Sequence, residues 1–153
     1  MSKYEHIEDA WVKEALEEYK DKIDGNKSHA LDVSSYKIEK PWGHEIIWSH
    51  CEEFTGKILV INSGCRLSRQ YHKIKEETIL VLSGTLKLEL GNPSDEKNTN
   101  FKCIDLQKGQ SFHITPGLIH RFSAEYGEVE LAEVSTSYLE DVVRIEDDYN
   151  REK

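Results

Sequence analysis

Cysteine is scarce in this chain of 153 residues. The three cysteines are Cys51, Cys65 and Cys103, an odd number without CxxC spacing. This pattern argues against a disulfide framework and against a cysteine-rich zinc site. It predicts free thiols in a reducing compartment.

Long apolar runs and basic clusters are also missing. No stretch approaches the roughly 18 apolar residues of a membrane-spanning helix, and residues 1–24 are too charged for a secretory signal peptide. Acidic residues outnumber basic ones, 29 to 20, for a net charge of −9, which disfavours binding to nucleic-acid phosphates. We therefore expect a cytoplasmic protein that binds neither membranes nor nucleic acids.

The N-terminal segment carries a helical pattern. Apolar residues recur at helical spacing from Ile7 to Ile23, and residues 24–28, DGNKS, provide a stop signal. We predict that the apolar stripe around Trp11 packs against the main body or against a second subunit. The predicted organisation is an N-terminal helical extension at residues 1–30 and one β domain at residues 31–153.

The rest of the chain shows strand patterns. From residue 36 onward, segments of four to eight residues rich in Ile, Leu, Val and Tyr are separated by Gly, Pro, Asn and Ser. Such spacing predicts an all-β sandwich or barrel, and the absence of long helical patterns disfavours a parallel βαβ sheet. The acidic tail at residues 140–153 is predicted to form a short helix or an extended surface segment.

Four polar residues form a candidate metal site. Gln70 and His72 alternate along one strand and therefore share a face. Glu77 follows a short connection, and His120 follows a Thr-Pro-Gly turn. Imidazole, carboxylate and amide oxygen together suit a divalent ion such as Zn, Mn, Fe, Co or Ni, with positions open for water or substrate.

The spacing of these residues resembles the two cupin motifs. Gly64, Gln70, His72, Glu77 and Gly84 match the first motif, with Gln70 in place of its first histidine. The segment from Gly109 to His120 resembles the second motif, with Thr115 and Ala124 as departures. Four stretches within residues 36–151, KPWGHE, CRLSRQYH, LSGTLKL and SYLEDVVRIEDDYNR, resemble the C-terminal cupin domain of type II mannose-6-phosphate isomerases.

The resemblance implies a fold and an activity. The implied fold is a cupin double-stranded β-helix, or jelly-roll barrel, with the metal held by Gln70, His72, Glu77 and His120. The implied reaction is metal-dependent aldose–ketose isomerisation of a sugar phosphate, mannose 6-phosphate to fructose 6-phosphate or a close relative, through an enediolate.

Further residues are candidates for chemistry and substrate binding. The catalytic candidates are Lys57, His113, Glu140 and Arg144, and the substrate-binding candidates are Trp42, Arg66 and Arg121. Arginine suits phosphate because its planar fork donates two parallel hydrogen bonds. Lys73 and Lys75, on the turn between two ligand strands, are expected to be solvated, with the alternative that they supply positive charge for the substrate.

Two other functions remain open. A cupin isomerase of an unphosphorylated sugar such as lyxose would share the metal chemistry without needing the arginines. A non-catalytic cupin would bind a sugar or serve as an assembly module. Because residues 78–84, TILVLSG, are apolar at both strand parities, we also predict a homodimer.

Overall fold

The computed structural model describes residues 37–92, 94–95 and 100–151. The predicted helix at residues 7–23 and the proposed boundary at residue 30 lie outside these ranges, so both stay predictions. No helix among the described residues is long and apolar enough to cross a membrane.

The described residues form eleven strands and no helix. In chain order they are β1 Lys37–Lys40, β2 Gly43–His50, β3 Phe54–Ile61, β4 Arg69–Tyr71, β5 Glu77–Ser83, β6 Leu86–Gly91, β7 Phe101–Leu106, β8 Ser111–Ile114, β9 Ile119–Ser123, β10 Val129–Thr136 and β11 Val143–Glu146. The predicted all-β fold is confirmed.

Two antiparallel sheets enclose the core. One sheet has the strand order β1-β2-β3-β10-β5-β8, and the other has the order β11-β4-β9-β6-β7. Leu86 and Leu88 of β6 face inward while Lys87 and Glu89 face outward, as the period of two requires. They join inward residues of the six-stranded sheet such as Ile79 in one hydrophobic cluster, which gives the layered jelly-roll arrangement.

The tail after β10 forms a strand. Residues Val143–Glu146 pair with β4, and Arg144 lies opposite Gln70. Of the two forms predicted for this segment, the structure has the extended one, because the short strand β4 offers a free edge for backbone pairing. The tail therefore runs directly beside the candidate metal ligands.

The outer face of the six-stranded sheet is also apolar. The register aligns Ile46, Ile58, Ala132 and Leu80 in one row across four strands, and Val134 beside this row is 52% exposed. Exposed apolar rows of this kind are found at protein interfaces. The row is consistent with the homodimer, which stays a prediction.

The turn after β5 depends on Gly84. This residue has a φ of +77°, and an added Cβ would lie 2.3 Å from the Glu128 carbonyl oxygen. Gly109 has a similar φ of +85°, but an added Cβ there would meet nothing within 4 Å. Both positions require the left-handed conformation, but only at Gly84 would an added Cβ clash with a neighbouring atom.

Gly84→Ala is therefore expected to destabilise the protein more than Gly109→Ala. We expect Gly109→Ala to lower the free energy of unfolding by about 1 kcal/mol through the left-handed conformation alone. Gly84→Ala adds a backbone clash, for a total loss of about 2 to 4 kcal/mol. Urea unfolding of both variants tests this, and equal losses would contradict the role assigned to the clash.

Candidate metal centre

Three buried side chains converge where the two sheets meet. His72 follows β4, Glu77 opens β5, and His120 lies in β9. The His72 Nε2 atom lies 3.5 Å from Glu77 Oε2, and the His120 Nε2 atom lies 3.4 Å from Glu77 Oε1. Their candidate ligand atoms all lie within 4.8 Å of one another, and each of the three residues is at most 3% exposed. We call these three residues the His–Glu–His triad.

Backbone carbonyls set the tautomer of both histidines. The His72 Nδ1 donates to the Asp141 carbonyl at 2.5 Å, and the His120 Nδ1 donates to the Leu118 carbonyl at 2.9 Å. A carbonyl can only accept, so each Nδ1 carries hydrogen and, in a neutral ring, leaves an Nε2 lone pair directed at Glu77.

Both Nε2 atoms are buried and have no hydrogen-bond partner among the described residues. Buried polar atoms are nearly always paired, and a histidine whose other ring nitrogen donates to a carbonyl is typical of metal sites. The residues present therefore fit a divalent ion.

Glu77 supplies the negative charge of the triad. Burial alone would raise the pKa of Glu77, but the ammonium group of Lys75, which donates to Oε2, lowers that pKa below its usual range. The carboxylate is thus ionised at neutral pH, as a metal ligand must be.

Gln70 lies beside the triad. It pairs in register with His120 on the neighbouring strand, it is half-buried, and it lines the same cavity as His72 and Glu77. Its Oε1 atom accepts a hydrogen bond from Ser68 Oγ at 2.6 Å, which holds the amide in place. The structure thus brings all four residues of the predicted ligand set to one region of the barrel.

The triad opens into a polar cavity of about 110 Å³. The predicted site residues Lys57, Arg144 and Trp42 line it. Five cationic and three anionic side chains lie in its wall, namely Lys40, Lys57, Lys75, Arg144 and Arg151 against Glu45, Glu77 and Glu133. An acidic protein therefore contains a cavity with an excess of positive charge.

Lys57 is held by a buried ion pair. Its Nζ atom donates to Glu45 Oε2 at 2.9 Å, and Lys40 contacts the other oxygen of Glu45 at 2.7 Å. Burial would raise the pKa of Glu45, but the two lysines lower it below its usual value. The Lys57 side chain therefore faces the cavity rather than solvent.

The expectation that Lys75 is solvated is wrong. Lys75 is 6% exposed, and its Nζ atom donates to Glu77 Oε2 at 2.5 Å and to Glu133 Oε1 at 3.2 Å. Burial would lower the pKa of Lys75, but Glu133 and Glu77 raise it above its usual value. The position of Lys75 in a turn suggested exposure, whereas its side chain is buried and lines the cavity. Lys73 is exposed, as expected.

Sequence reasoning missed Glu133. Burial and the negative charge of Glu77 raise the pKa of the Glu133 carboxyl, an effect that Lys75 and Lys57 partly offset. A signal was present, because Glu133 shares strand parity with Val129 and Leu131, both fully buried. A glutamate at an inward position of an apolar strand needs a buried partner.

Four predicted site residues lie outside the cavity. His113 faces outward from β8 and contacts Thr78 and Glu76, and Glu140 lies exposed in the turn after β10.

The two arginines among these four residues also lie away from the cavity. Arg121 alternates along β9 with the inward residues His120 and Phe122, so it faces away from the cavity, and it contacts Glu146. Arg66 forms a two-pronged pair with Asp148. The structure does not bring these four residues together with the triad.

Sequence reasoning also missed Asp141, which holds the turn at residues 73–75 between His72 and Glu77. We call this turn the ligand turn. Its carboxylate accepts the backbone N–H groups of Lys73, Ile74 and Lys75 at 2.8 to 3.0 Å, and its own carbonyl accepts from His72. Burial would raise the pKa of Asp141, but these three N–H groups lower it below its usual value. No pattern in the sequence links residue 141 to residues 73–75.

Replacing Asp141 is expected to give a pH-dependent loss of stability. A carboxyl with a lowered folded pKa stabilises the fold above its usual pKa of 3.8, and this contribution disappears as the pH falls through the folded value. We expect Asp141→Asn to cost about 1 kcal/mol at pH 7 and less at about pH 3, below the usual pKa of 3.8. Urea unfolding at both pH values checks this, with the exposed Glu128→Gln as a control. Equal losses at both pH values would show that the charge does not hold the turn.

Comparisons with known proteins support a common family. The chain is 30% identical over 146 residues to the xanthan biosynthesis protein XanB of Xanthomonas campestris pv. campestris, covering 91% of this chain and 29% of XanB. It is 28% identical over 124 residues to mannose-1-phosphate guanylyltransferase 2 of Escherichia coli O157:H7, covering 78% of this chain and 24% of that protein. The chain thus spans less than a third of either relative.

A solved structure shares the fold. A Klebsiella pneumoniae protein with a double-stranded beta-helix domain superposes with a TM-score of 0.59 at 14% identity, covering 77% of this chain and 97% of that one. The family model described as mannose-6-phosphate isomerase C-terminal matches residues 25–147. The chain therefore belongs to the mannose-6-phosphate isomerase C-terminal family and has its cupin double-stranded β-helix fold.

Proposed function

We propose that this protein is a metal-dependent aldose–ketose isomerase that acts on a sugar phosphate, most simply mannose 6-phosphate to fructose 6-phosphate or a close relative. The observation that carries the proposal is the pair of buried, unpartnered Nε2 atoms facing Glu77. The names of the relatives, which refer to xanthan biosynthesis and to mannose 1-phosphate, support a sugar-related role.

His72, Glu77 and His120 would hold the metal, with Gln70 as a fourth ligand. A bound divalent ion polarises carbonyl and hydroxyl oxygens and stabilises the negative charge that develops on them during isomerisation. Burial of the triad strengthens such electrostatic effects because little water screens them.

The charge of the cavity supports a phosphorylated substrate. Arg144 lies beside Gln70 on the neighbouring strand, and Arg151 and Lys40 also line the cavity. These cations lie within about one Debye length of any substrate in the cavity, so they oppose the repulsion from the acidic surface. In this proposal the planar guanidinium group of Arg144 binds the phosphate.

Proton transfer between C1 and C2 requires a group in the cavity wall that can hold a proton. Lys57 and Glu133 are cross-strand partners in the register of β3 and β10, and both line the cavity. We assign the transfer to this pair, in which the ammonium of Lys57 stabilises developing negative charge and the carboxylate of Glu133 accepts and returns the proton. Trp42 forms an apolar part of the wall.

Metal content is the first test of this function. We expect about one divalent ion per purified wild-type chain and its loss in His72→Ala, because the variant keeps only one imidazole beside Glu77 and the weakly binding Gln70 amide. Elemental analysis measures this. His44→Ala is the matched control, since His44 lies opposite Val60 on the sheet and does not line the cavity.

The same proteins are then assayed for conversion of mannose 6-phosphate to fructose 6-phosphate with and without a chelator. We expect His72→Ala and the chelator each to lower kcat/KM by more than about 100-fold, and His44→Ala to have no effect. Turnover that survives complete removal of metal would overturn the proposal. Metal without turnover of any sugar would favour a binding protein.

A second prediction separates phosphorylated from unphosphorylated substrates. Removing one charged hydrogen-bond donor from a phosphate costs about 1.5 to 3 kcal/mol. We therefore expect Arg144→Gln to raise KM for mannose 6-phosphate by about 10-fold or more. Lys108→Gln, in an exposed turn, serves as the control. Faster turnover of free mannose or lyxose than of the phosphate ester by the wild type would contradict the sugar-phosphate assignment.

A further inference from the structure

Lys75 occupies an unusual position between two buried carboxylates. Its ammonium group contacts Glu77 at 2.5 Å and Glu133 at 3.2 Å, and all three side chains are at most 8% exposed. The three N–H bonds from residues 73–75 to Asp141 fix the backbone from which the side chain extends. The turn therefore directs the ammonium group into the cavity.

The ammonium group uses an oxygen that belongs to the triad. Glu77 Oε2 faces His72 Nε2 at 3.5 Å and also accepts from Lys75. The group thus neutralises the carboxylate that a divalent ion would need. Glu133 Oε1 offers the same ammonium group a second acceptor at 3.2 Å.

We propose that Lys75 is a resident cation that competes with the divalent metal for Glu77 and so sets the metal affinity of the triad, with Glu133 as the acceptor that draws the ammonium group away. This inference rests on the proposed metal site. It adds that the affinity depends on the balance between Lys75 and Glu133 as well as on the ligands themselves.

The direction of the effect follows from charge. A divalent ion bound by the triad is repelled by an ammonium group that contacts one of its ligands, and it is attracted by the Glu133 carboxylate. Between a single and a double charge about 5 Å apart, even water-like screening leaves an effect of roughly 10-fold on a dissociation constant. The actual effect is larger because the triad is buried.

The test measures zinc binding to the full chain by competition with a chelating dye, first for wild type and Lys75→Met. Methionine keeps most of the length of the lysine stem and removes the charge. We expect Lys75→Met to bind zinc at least about 10-fold more tightly than wild type. Lys73→Met is the matched control, since Lys73 is exposed on the same turn, and its affinity should stay within about 2-fold of wild type.

Glu133→Gln provides an independent arm that retains the lysine. Without the carboxylate, the ammonium group depends on Glu77 alone, so zinc binding should weaken by about 10-fold. The double variant Lys75→Met/Glu133→Gln removes both charges and should bind within a few-fold of wild type. The double variant does not leave the Glu133 charge buried without its cation. Its zinc affinity can therefore be compared with that of Glu133→Gln even if Lys75→Met does not fold.

The outcomes distinguish this inference from the proposed function. If wild type binds zinc but Lys75→Met binds it equally or more weakly, Lys75 is not a competitor and the inference is overturned. The same holds if Glu133→Gln binds zinc equally or more tightly. If neither wild type nor any folded variant binds zinc, the metal site itself is overturned, and with it the proposed function.

Discussion

The buried carboxylate of Glu77 is the interaction on which the cavity depends. A charge at 2% exposure is costly unless opposite charge and hydrogen-bond donors surround it. Lys75 supplies both the opposite charge and a hydrogen bond to Oε2, whereas the Nε2 lone pairs of His72 and His120 face the carboxylate oxygens without donating to them. These neighbours have further partners: the Lys75 ammonium group also donates to Glu133, and the His72 ring is held by the Asp141 carbonyl in the tail.

That tail links the stability of the barrel to the geometry of the centre. Asp141 accepts three backbone N–H groups from the ligand turn, and its carbonyl fixes the ring of His72. The following strand pairs with β4 and places Arg144 opposite Gln70. A segment distant in sequence therefore orients a metal-ligand candidate and also brings a phosphate-binding candidate to it.

The charges of the cavity and of the whole chain have opposite signs. The protein carries a net charge of −9, yet cations outnumber carboxylates in the cavity wall. In the low-polarity interior, charges a few ångströms apart dominate over distant surface charges, which salt screens. An acidic protein can therefore contain a cavity in which cations outnumber carboxylates, which composition alone argues against.

The sequence by itself determined the β class, the strand alternation and the identity of the four metal-ligand candidates, because these follow from periods of two and from spacing within short segments. Only the tertiary structure decided that Lys75 turns inward and that Glu133 and Asp141 join the centre. It also decided which candidates lie away from the centre, namely His113, Glu140, Arg66 and Arg121. Those outcomes depend on contacts between strands far apart in the chain, where register and turn direction, rather than local pattern, set which side chains meet.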